Sequence, residues 1–189
     1  MSGNGNTGTL ENGPTFNSAN GSSIVFDGSN DYIQTSYTTQ LNDLTISVWF
    51  KDNSSSGYAR IADKDYDTGF WMGRNNSSTL WGGGVRTATL ESFNSITLNS
   101  NAWHFLVMAR EGTTLKVYGD GITNTNTTTC GSGAIDSTIL SLGATINDNG
   151  GRQRDWFNGN ISQVSVYNRA LTAGEIAQNF NATRSRFGI

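Results

Sequence analysis

The sequence contains few of the residues that build disulfide scaffolds or reactive sites. Its 189 residues include one cysteine, Cys130, and one histidine, His104. A single cysteine excludes an internal disulfide framework, so the stability of the fold has to come from packing. A chain of this length buries about 70% of its unfolded surface, which is enough for one core without cross-links. We therefore predict a single domain over residues 1–189.

Long apolar runs and strong charge are also missing. No stretch approaches the roughly 18 apolar residues of a membrane-spanning helix. The opening MSGNGNTGTLENG lacks the basic and apolar regions of a signal peptide. Charged residues make up 14% of the chain, the net charge is −3, and the one basic cluster is the terminal TRSRFGI. Because nucleic-acid-binding domains usually carry a basic face, the sequence predicts neither nucleic acid nor membrane as a partner.

Glycine and aromatic residues are abundant instead, with 23 glycines and 11% aromatic residues. In LTISVWFK (44–51), apolar and polar side chains alternate, which is the pattern of a β-strand. The segment WHFLVMARE (103–111) is apolar on both faces, as expected of a strand covered on both sides. About twelve such strands, separated by turn residues, indicate two packed antiparallel sheets.

A helix is predicted near the C-terminus, in LTAGEIAQNFNA (171–182). Thr172 and Glu175 have the spacing of a capping box, in which each side chain accepts a hydrogen bond from the other residue's backbone N–H. Ile176 and Phe180 lie four residues apart on one face, which suits docking on a sheet. The predicted fold is therefore all-β, a two-sheet antiparallel sandwich with one short C-terminal helix.

Four segments taken together resemble a known family, the laminin-G-like jelly roll of the concanavalin A-like superfamily. They are SIVFDGSNDYIQT (23–35), LTISVWFK (44–51), NAWHFLVMAREGTTLKVYGDG (101–121) and FNGNISQVSVYNRALTAGEIAQNF (157–180). The strand–helix unit around YNRALTAGEI carries the resemblance most specifically. The resemblance covers a core of about residues 23–180. It implies a jelly-roll sandwich with a short N-terminal leader and a short C-terminal tail.

The leader and the ending FNATRSRFGI further resemble the version of this domain found in structural proteins of tailed bacteriophages. That resemblance implies a non-catalytic protein on the virion surface, extracellular after lysis, either a capsid decoration protein or a fibre component. The implied partners are other virion proteins, surface polysaccharide, or both, and a homo-oligomer is compatible with this role. The alternative from the same superfamily is a lectin-like carbohydrate-binding module, with or without calcium.

Catalysis has little support in the residues themselves. Glycosidases need two carboxylates flanking the glycosidic bond, and retaining members of this superfamily carry them in a Glu-x-Asp-x-x-Glu pattern. The chain has four glutamates, none with a carboxylate two residues away: Glu11, Glu91, Glu111 and Glu175. His104 stands among apolar strand residues without an acidic residue nearby in sequence, so a nucleophilic triad is not indicated. We predict that the protein is not an enzyme.

The segment RIADKDYDTGFW (60–71) has an aspartate at every second position: Asp63, Asp65 and Asp67. Oxygen ligands on loops suit Ca²⁺, and the pentraxins, another branch of the superfamily, bind calcium through an Asp before a strand and a later acidic loop. The resemblance matches Asp67 to that Asp and Asn147 to the later loop, with Asp148 beside it, while Thr145 replaces a Glu. Two interpretations stay open, a Ca²⁺ site and a solvated acidic turn. Under both interpretations we expect the protein to fold without a cofactor.

Aromatic residues next to polar ones suggest where a carbohydrate would bind, because sugar rings stack on aromatic faces. Trp49 and Trp103 lie in strongly alternating strands and are predicted to pack within the fold. The candidate carbohydrate-binding residues are Trp71, Trp156, Arg152 and Arg154.

Overall fold

The structure is a computed structural model that describes residues 5–19, 21–54, 57–65, 68–76, 79–87, 90–135, 138–147 and 152–189. These residues form sixteen strands, helix α1 (Ala173–Thr183) and a 3₁₀ turn (Arg184–Phe187). The strands are β1 (Gly8–Glu11), β2 (Thr15–Asn17), β3 (Ser23–Asp27), β4 (Tyr32–Thr35), β5 (Leu44–Asp52), β6 (Ala59–Asp63), β7 (Phe70–Arg74), β8 (Leu80–Thr87), β9 (Leu90–Thr97), β10 (Trp103–Glu111), β11 (Thr114–Gly119), β12 (Asn124–Thr129), β13 (Ser141–Leu142), β14 (Thr145–Asn147), β15 (Arg152–Arg154) and β16 (Asn158–Tyr167). Neither helix in these ranges has the length and apolar character needed to cross a membrane.

Fourteen of the strands form two antiparallel sheets of seven strands each. Sheet A has the order β1-β4-β13-β6-β7-β8-β9, and sheet B has the order β12-β11-β10-β5-β16-β3-β2. Strands β14 and β15 form a separate hairpin. The predicted two-sheet sandwich with one C-terminal helix is confirmed. The structure has more strands than predicted because β2, β13, β14 and β15 are two or three residues long, which is too short for alternation to show.

The main core fills the space between the sheets. Alternate side chains of β5 point into it, and Ile46, Val48 and Phe50 are fully buried. A buried ion pair also joins the two sheets, because Arg74 of sheet A contacts Asp52 of sheet B at 2.5 Å. Most of the inward-facing residues are apolar, as the alternation of the strands predicts.

A second apolar cluster covers the outer face of sheet B. The ring of Trp49 stacks on Phe187 of the 3₁₀ turn at 4.1 Å and on Phe180 of α1 at 5.8 Å, measured between ring centroids. The indole N–H of Trp49 donates to Thr183 at 2.9 Å. Trp49 and Trp103 are both buried in this cluster, which confirms their predicted packing role. The C-terminal segment therefore closes this face of the sandwich.

The capping box at the start of α1 is present as predicted. Thr172 is the N-cap, its hydroxyl accepts from the Glu175 N–H at 3.3 Å, and the Thr172 N–H donates to the Glu175 carboxylate at 2.9 Å. Arg169 donates to the same carboxylate through two nitrogens, at 2.6 and 2.9 Å. These hydrogen bonds, first from Arg169 and then from Thr172, lower the pKa of Glu175 to about 2.

We expect Thr172→Ala to lower the free energy of unfolding by about 1 kcal/mol, because the N-cap hydroxyl is lost. The matched control is Thr172→Ser, which keeps the hydroxyl and should stay close to the wild type. Urea titration of the three proteins measures the difference. Equal stability of all three would show that packing alone holds the helix.

Candidate functional site

The outer face of sheet A carries a row of stacked planar groups that runs across its strands. The guanidinium carbon of Arg60 lies 4.0 Å from the centre of the Trp71 ring. On β9, the Phe93 ring stacks on Trp71 with centroids 5.0 Å apart and planes inclined by 13°. Trp71 is 4% exposed, so its ring supports the row rather than offering an open face.

Strand register explains how this row forms. Trp71 of β7 lies opposite Gly84 of β8, and Gly84 lies opposite Phe93 of β9. A Cβ atom at position 84 would lie 2.6 Å from the Trp71 indole nitrogen, so glycine is required for Trp71 and Phe93 to meet over β8. A register shift in β6 between Arg60 and Ala62 accompanies the placement of the Arg60 guanidinium over the indole.

A pocket of about 490 Å³ opens beside this row. We call it the outer pocket, and its lining residues are Tyr58, Arg60, Trp71, Asn75, Phe93, Arg154 and Asp155. Tyr58 is 47% exposed, and Phe93 is half-buried. The pocket therefore combines accessible aromatic surface with amide, guanidinium and carboxylate groups, which is the composition of a site for a polar ligand with apolar patches.

The charges in the outer pocket face each other at short range. The Arg60 Nη2 atom lies 3.5 Å from the Asp155 carboxylate, and the Arg60 backbone N–H donates to the Asp155 carbonyl at 2.8 Å. Asp155 has a φ of +56°, a left-handed conformation that aspartate tolerates better than most residues. These contacts attach the loop after β15 to β6 and fix one wall of the pocket.

Asp63 lies behind the outer pocket and is fully buried. Thr145 donates to its Oδ2 atom at 3.1 Å, whereas its Oδ1 atom has no hydrogen-bond partner in the described part of the chain. Burial raises the pKa of Asp63 to about 7, even though Arg60 and the Thr145 hydroxyl oppose the shift. Its burial keeps this carboxyl out of the pocket lining.

The three alternating aspartates do not form one row. Strand β6 ends at Asp63, and Asp65 has a φ of +83° and accepts a hydrogen bond from Thr68 at 3.0 Å. Both Asp63 and Asp65 are buried, so the predicted solvated acidic turn is wrong for these two residues. Asp67 lies outside the described residues.

The structure brings together two of the four candidate carbohydrate-binding residues. Trp71 and Arg154 both line the outer pocket. Trp156 packs against Tyr32 instead, with ring centroids 6.3 Å apart. Arg152 is described through its backbone, which pairs with Asn147 in the β14–β15 hairpin.

Most of the pocket lining was not predicted from the sequence. Tyr58, Arg60, Asn75, Phe93 and Asp155 come from separate strands and loops. The available signal was the run of glycines in β8, because consecutive glycines inside a strand often mark the close approach of neighbouring groups.

His104 has an acidic partner that the sequence did not reveal. Its Nδ1 atom lies 2.7 Å from the carboxylate of Asp120, sixteen residues later, and its Nε2 atom lies 2.9 Å from the carbonyl of Asn99. The other oxygen of Asp120 accepts from the Phe105 N–H at 2.9 Å. Both ring nitrogens therefore contact groups inside the fold. The His104–Asp120 pair stabilises the end of a strand and does not bind a ligand.

Comparisons with solved structures show where this architecture recurs. A pentraxin of Limulus polyphemus, described as native, heptameric and SAP-like, is 18% identical with a TM-score of 0.67, over 82% of this chain and 79% of that chain. The binding domain of botulinum neurotoxin DC, solved in complex with rat synaptotagmin II, is 13% identical with a TM-score of 0.75, over 96% of this chain and 48% of that chain. The botulinum neurotoxin type G receptor-binding domain is 10% identical with a TM-score of 0.73, over 94% of this chain and 46% of that chain.

These identities establish the fold alone, and the chain spans about half the length of the neurotoxin domains. No curated protein matches the sequence. The laminin G-type family model described as the concanavalin A-like lectin/glucanases superfamily matches residues 27–177, which is most of the chain. The protein is therefore a member of the concanavalin A-like lectin/glucanase superfamily.

Proposed function

We propose that this protein is a non-catalytic, lectin-like module that binds a glycan in the outer pocket. The observation that carries the proposal is the convergence of exposed aromatic surface and paired polar groups on the sheet face that the C-terminal helix leaves open. Tyr58 and Phe93 offer apolar surface for a sugar ring, while Asn75 and Asp155 offer hydrogen-bonding groups beside it.

The row of stacked groups supports the proposal because it makes the pocket rigid. Arg60 and Phe93 hold the Trp71 ring from both sides, and Asp155 is attached to Arg60 through main chain and side chain. A preformed site avoids the ordering cost of binding. The names of the similar neurotoxin domains describe binding and receptor-binding domains, which agrees with a binding role.

The carboxylates among the described residues of the outer pocket agree with a non-catalytic role. Glycoside hydrolysis needs two carboxyl groups flanking the bond, and among the described residues that line the outer pocket Asp155 is the one carboxylate. It is engaged by Arg60, and Asp63 is fully buried behind it. Incubation with oligosaccharides should therefore release no products, and hydrolysis abolished by Asp155→Asn would contradict the proposal.

A glycan array probed with the wild type and three variants tests the binding proposal. Tyr58→Ala should weaken binding about fivefold to tenfold, which corresponds to roughly 1–1.4 kcal/mol of lost aromatic contact. Asp155→Asn should weaken binding because it removes the charge, and asparagine tolerates the positive φ at this position as aspartate does. Phe16→Ala is the control, because Phe16 is also an exposed aromatic residue and lies on β2 of the other sheet.

Equal binding by all four proteins would place the glycan elsewhere on the molecule. If no glycan on the array binds the wild type, the lectin-like role itself is wrong. Unfolding should not confuse these results, because Tyr58 and Phe16 are both solvent-exposed and their replacement should leave the fold intact.

A role on the surface of a tailed-phage virion, as a capsid decoration or fibre protein, is our second proposal. It rests on the resemblance of the leader and of the ending FNATRSRFGI to phage structural proteins, and it implies virion proteins and surface polysaccharide as partners. The two roles are compatible, because a surface protein that binds glycans would hold a particle to its host. Immunogold imaging of particles from the native source should label the virion exterior, and labelling of host material alone would contradict this role.

Calcium at Asp67, Asn147 and Asp148 stays a prediction. Asp67 and Asp148 lie outside the described residues, Asn147 is described through its backbone, and within the described ranges no group of three metal-ligating side chains is present. Thr145, which replaces a family Glu, is buried and donates to Asp63, so its hydroxyl is already engaged.

Calorimetric titration with Ca²⁺ tests the calcium prediction directly. If the site exists, Asp67→Asn should lower the affinity for Ca²⁺ by about tenfold or more, because a charged ligand becomes neutral. Asp43→Asn, on the turn before β5, is the control, because Asp43 is not among the predicted ligands, and it should not change the affinity. The absence of any heat of binding to the wild type at millimolar Ca²⁺ would refute the site.

A further inference from the structure

A second groove lies on one side of the sandwich, where β16 of sheet B faces β4 of sheet A. It has a volume of about 750 Å³ and includes six consecutive residues of β16, Ser162 to Tyr167, in its wall. Its described lining residues combine hydroxyl and amide groups with aliphatic side chains, and none of them is charged. We call it the side groove. None of these described residues also lines the outer pocket.

The register of β16 shows that half of this strand lacks a neighbour. On one side β5 pairs with β16 as far as Tyr167, but on the other side β3 pairs only with Asn158–Ile161. Residues 163–167 make no backbone hydrogen bond on that second side within the described part of the chain. The backbone groups of this edge therefore face the side groove, and such groups pair readily with another extended chain.

The core is incompletely covered at the same place. Val164 and Val166 lie opposite Val48 and Ile46 of β5 and point to the same face of sheet B. Val48 and Ile46 are fully buried, whereas Val164 and Val166 remain partly exposed. Across the groove, Ile33 of β4 is also only partly buried. Because these side chains already touch the main core, one more strand beside β16 would complete their burial.

The opposite side of the sandwich shows how the fold closes such an opening. There, side-chain amides of one sheet donate to backbone carbonyls of the other: Asn94 to Leu115, Asn124 to Thr97, and Asn126 to Ser95, at 3.0–3.2 Å. Comparable bridges between β16 residues 163–167 and sheet A are not found in the described ranges. The side groove is therefore an asymmetric feature of the fold.

We propose that the side groove binds an extended polypeptide segment of a partner protein, which pairs as an added strand with the free edge of β16. The free edge is about five residues long, the length of an average strand. The main chain of the partner would supply hydrogen bonds, and alternate apolar side chains would fill the space over Val164 and Val166. The uncharged lining selects an uncharged segment.

Binding of blocked six-residue peptides with the sequences SVTVSV and TISITI to the ¹⁵N-labelled protein tests this inference. The amide resonances of residues 163–167 should shift, and their hydrogen exchange should slow by about tenfold. Peptides of the same sequence with methylated backbone nitrogens should not bind. Val164→Lys should weaken binding by about tenfold or more, since the edge strand then carries a charge, whereas Thr127→Lys on the other edge of sheet B should have no effect.

Three results would overturn the inference. The first is the absence of shifts at residues 163–167 with millimolar peptide, in protein whose spectrum shows that it is folded. The second is equal binding of the methylated peptides, which would make the groove a site for apolar ligands rather than for a strand. The third is a dimer in sedimentation that Val164→Lys dissociates, which would make a second copy of this chain the occupant.

Discussion

Replacing Arg74 by alanine should lower the free energy of unfolding by about 3–5 kcal/mol, because it leaves Asp52 as an unpaired buried charge. Both side chains are 1% exposed, and the Arg74 Nη1 atom lies 2.5 Å from the Asp52 carboxylate. Burial raises the pKa of Asp52 even though Arg74 opposes the shift, which indicates how strongly the site disfavours an isolated carboxylate. Chemical denaturation of the variant measures the loss.

The same substitution should also loosen the outer pocket. Arg74 donates to the carbonyls of Ser54 and Gly57 at 3.1 and 2.9 Å, and this loop leads directly to Tyr58. The control is Arg169→Ala, which breaks the exposed ion pair with Glu175 and should have a much smaller effect. A loss of stability in Arg74→Ala no larger than that of the control would contradict our account of the buried pair.

Replacing Asp63 by asparagine should reduce the pH dependence of stability between about pH 4 and 7. The pKa of Asp63 in the fold is about 7, against an ordinary value of 3.8. In this window the folded protein keeps a proton that the unfolded chain has released, so the free energy of unfolding falls as the pH rises. The slope from this one group is at most about 1.4 kcal/mol per pH unit.

Asparagine preserves the acceptor for the Thr145 hydroxyl but carries no charge. At pH 8, where the wild type holds an ionised carboxylate in a buried site, Asp63→Asn should therefore be the more stable protein. Urea titrations at pH 4.5, 6 and 8 on both proteins provide the comparison. Parallel pH profiles for the two proteins would mean that Asp63 is not the group responsible.

Local sequence patterns predicted the strands and the helix because each pattern depends on residues that are close together in the chain. Alternation in β5 identified the buried faces of a central strand, and the spacing of Thr172 and Glu175 identified the helix start, since a capping box involves only neighbouring residues. The superfamily resemblance added the jelly roll. These features depend on contacts within a few positions of the chain or on a pattern repeated along a strand.

The outer pocket could not be predicted in the same way, because it depends on register between distant strands. Arg60, Trp71 and Phe93 meet because three strands pair in one register and Gly84 leaves room between them. Sequence alone marked Trp71 as a sugar platform, but it could not show that both ring faces are covered. The partnership of His104 with Asp120 was missed for the same reason, since it links two strands through a hairpin.

Mapping a bound glycan on the ¹⁵N-labelled protein would show whether the outer face of sheet A binds the ligand. With the best ligand from the array, we expect the largest amide shifts at Tyr58, Trp71, Gly84, Phe93 and Asp155, which line or underlie the outer pocket. Shifts concentrated on the C-terminal helix or in the side groove, with these five amides unchanged, would contradict glycan binding at the outer pocket.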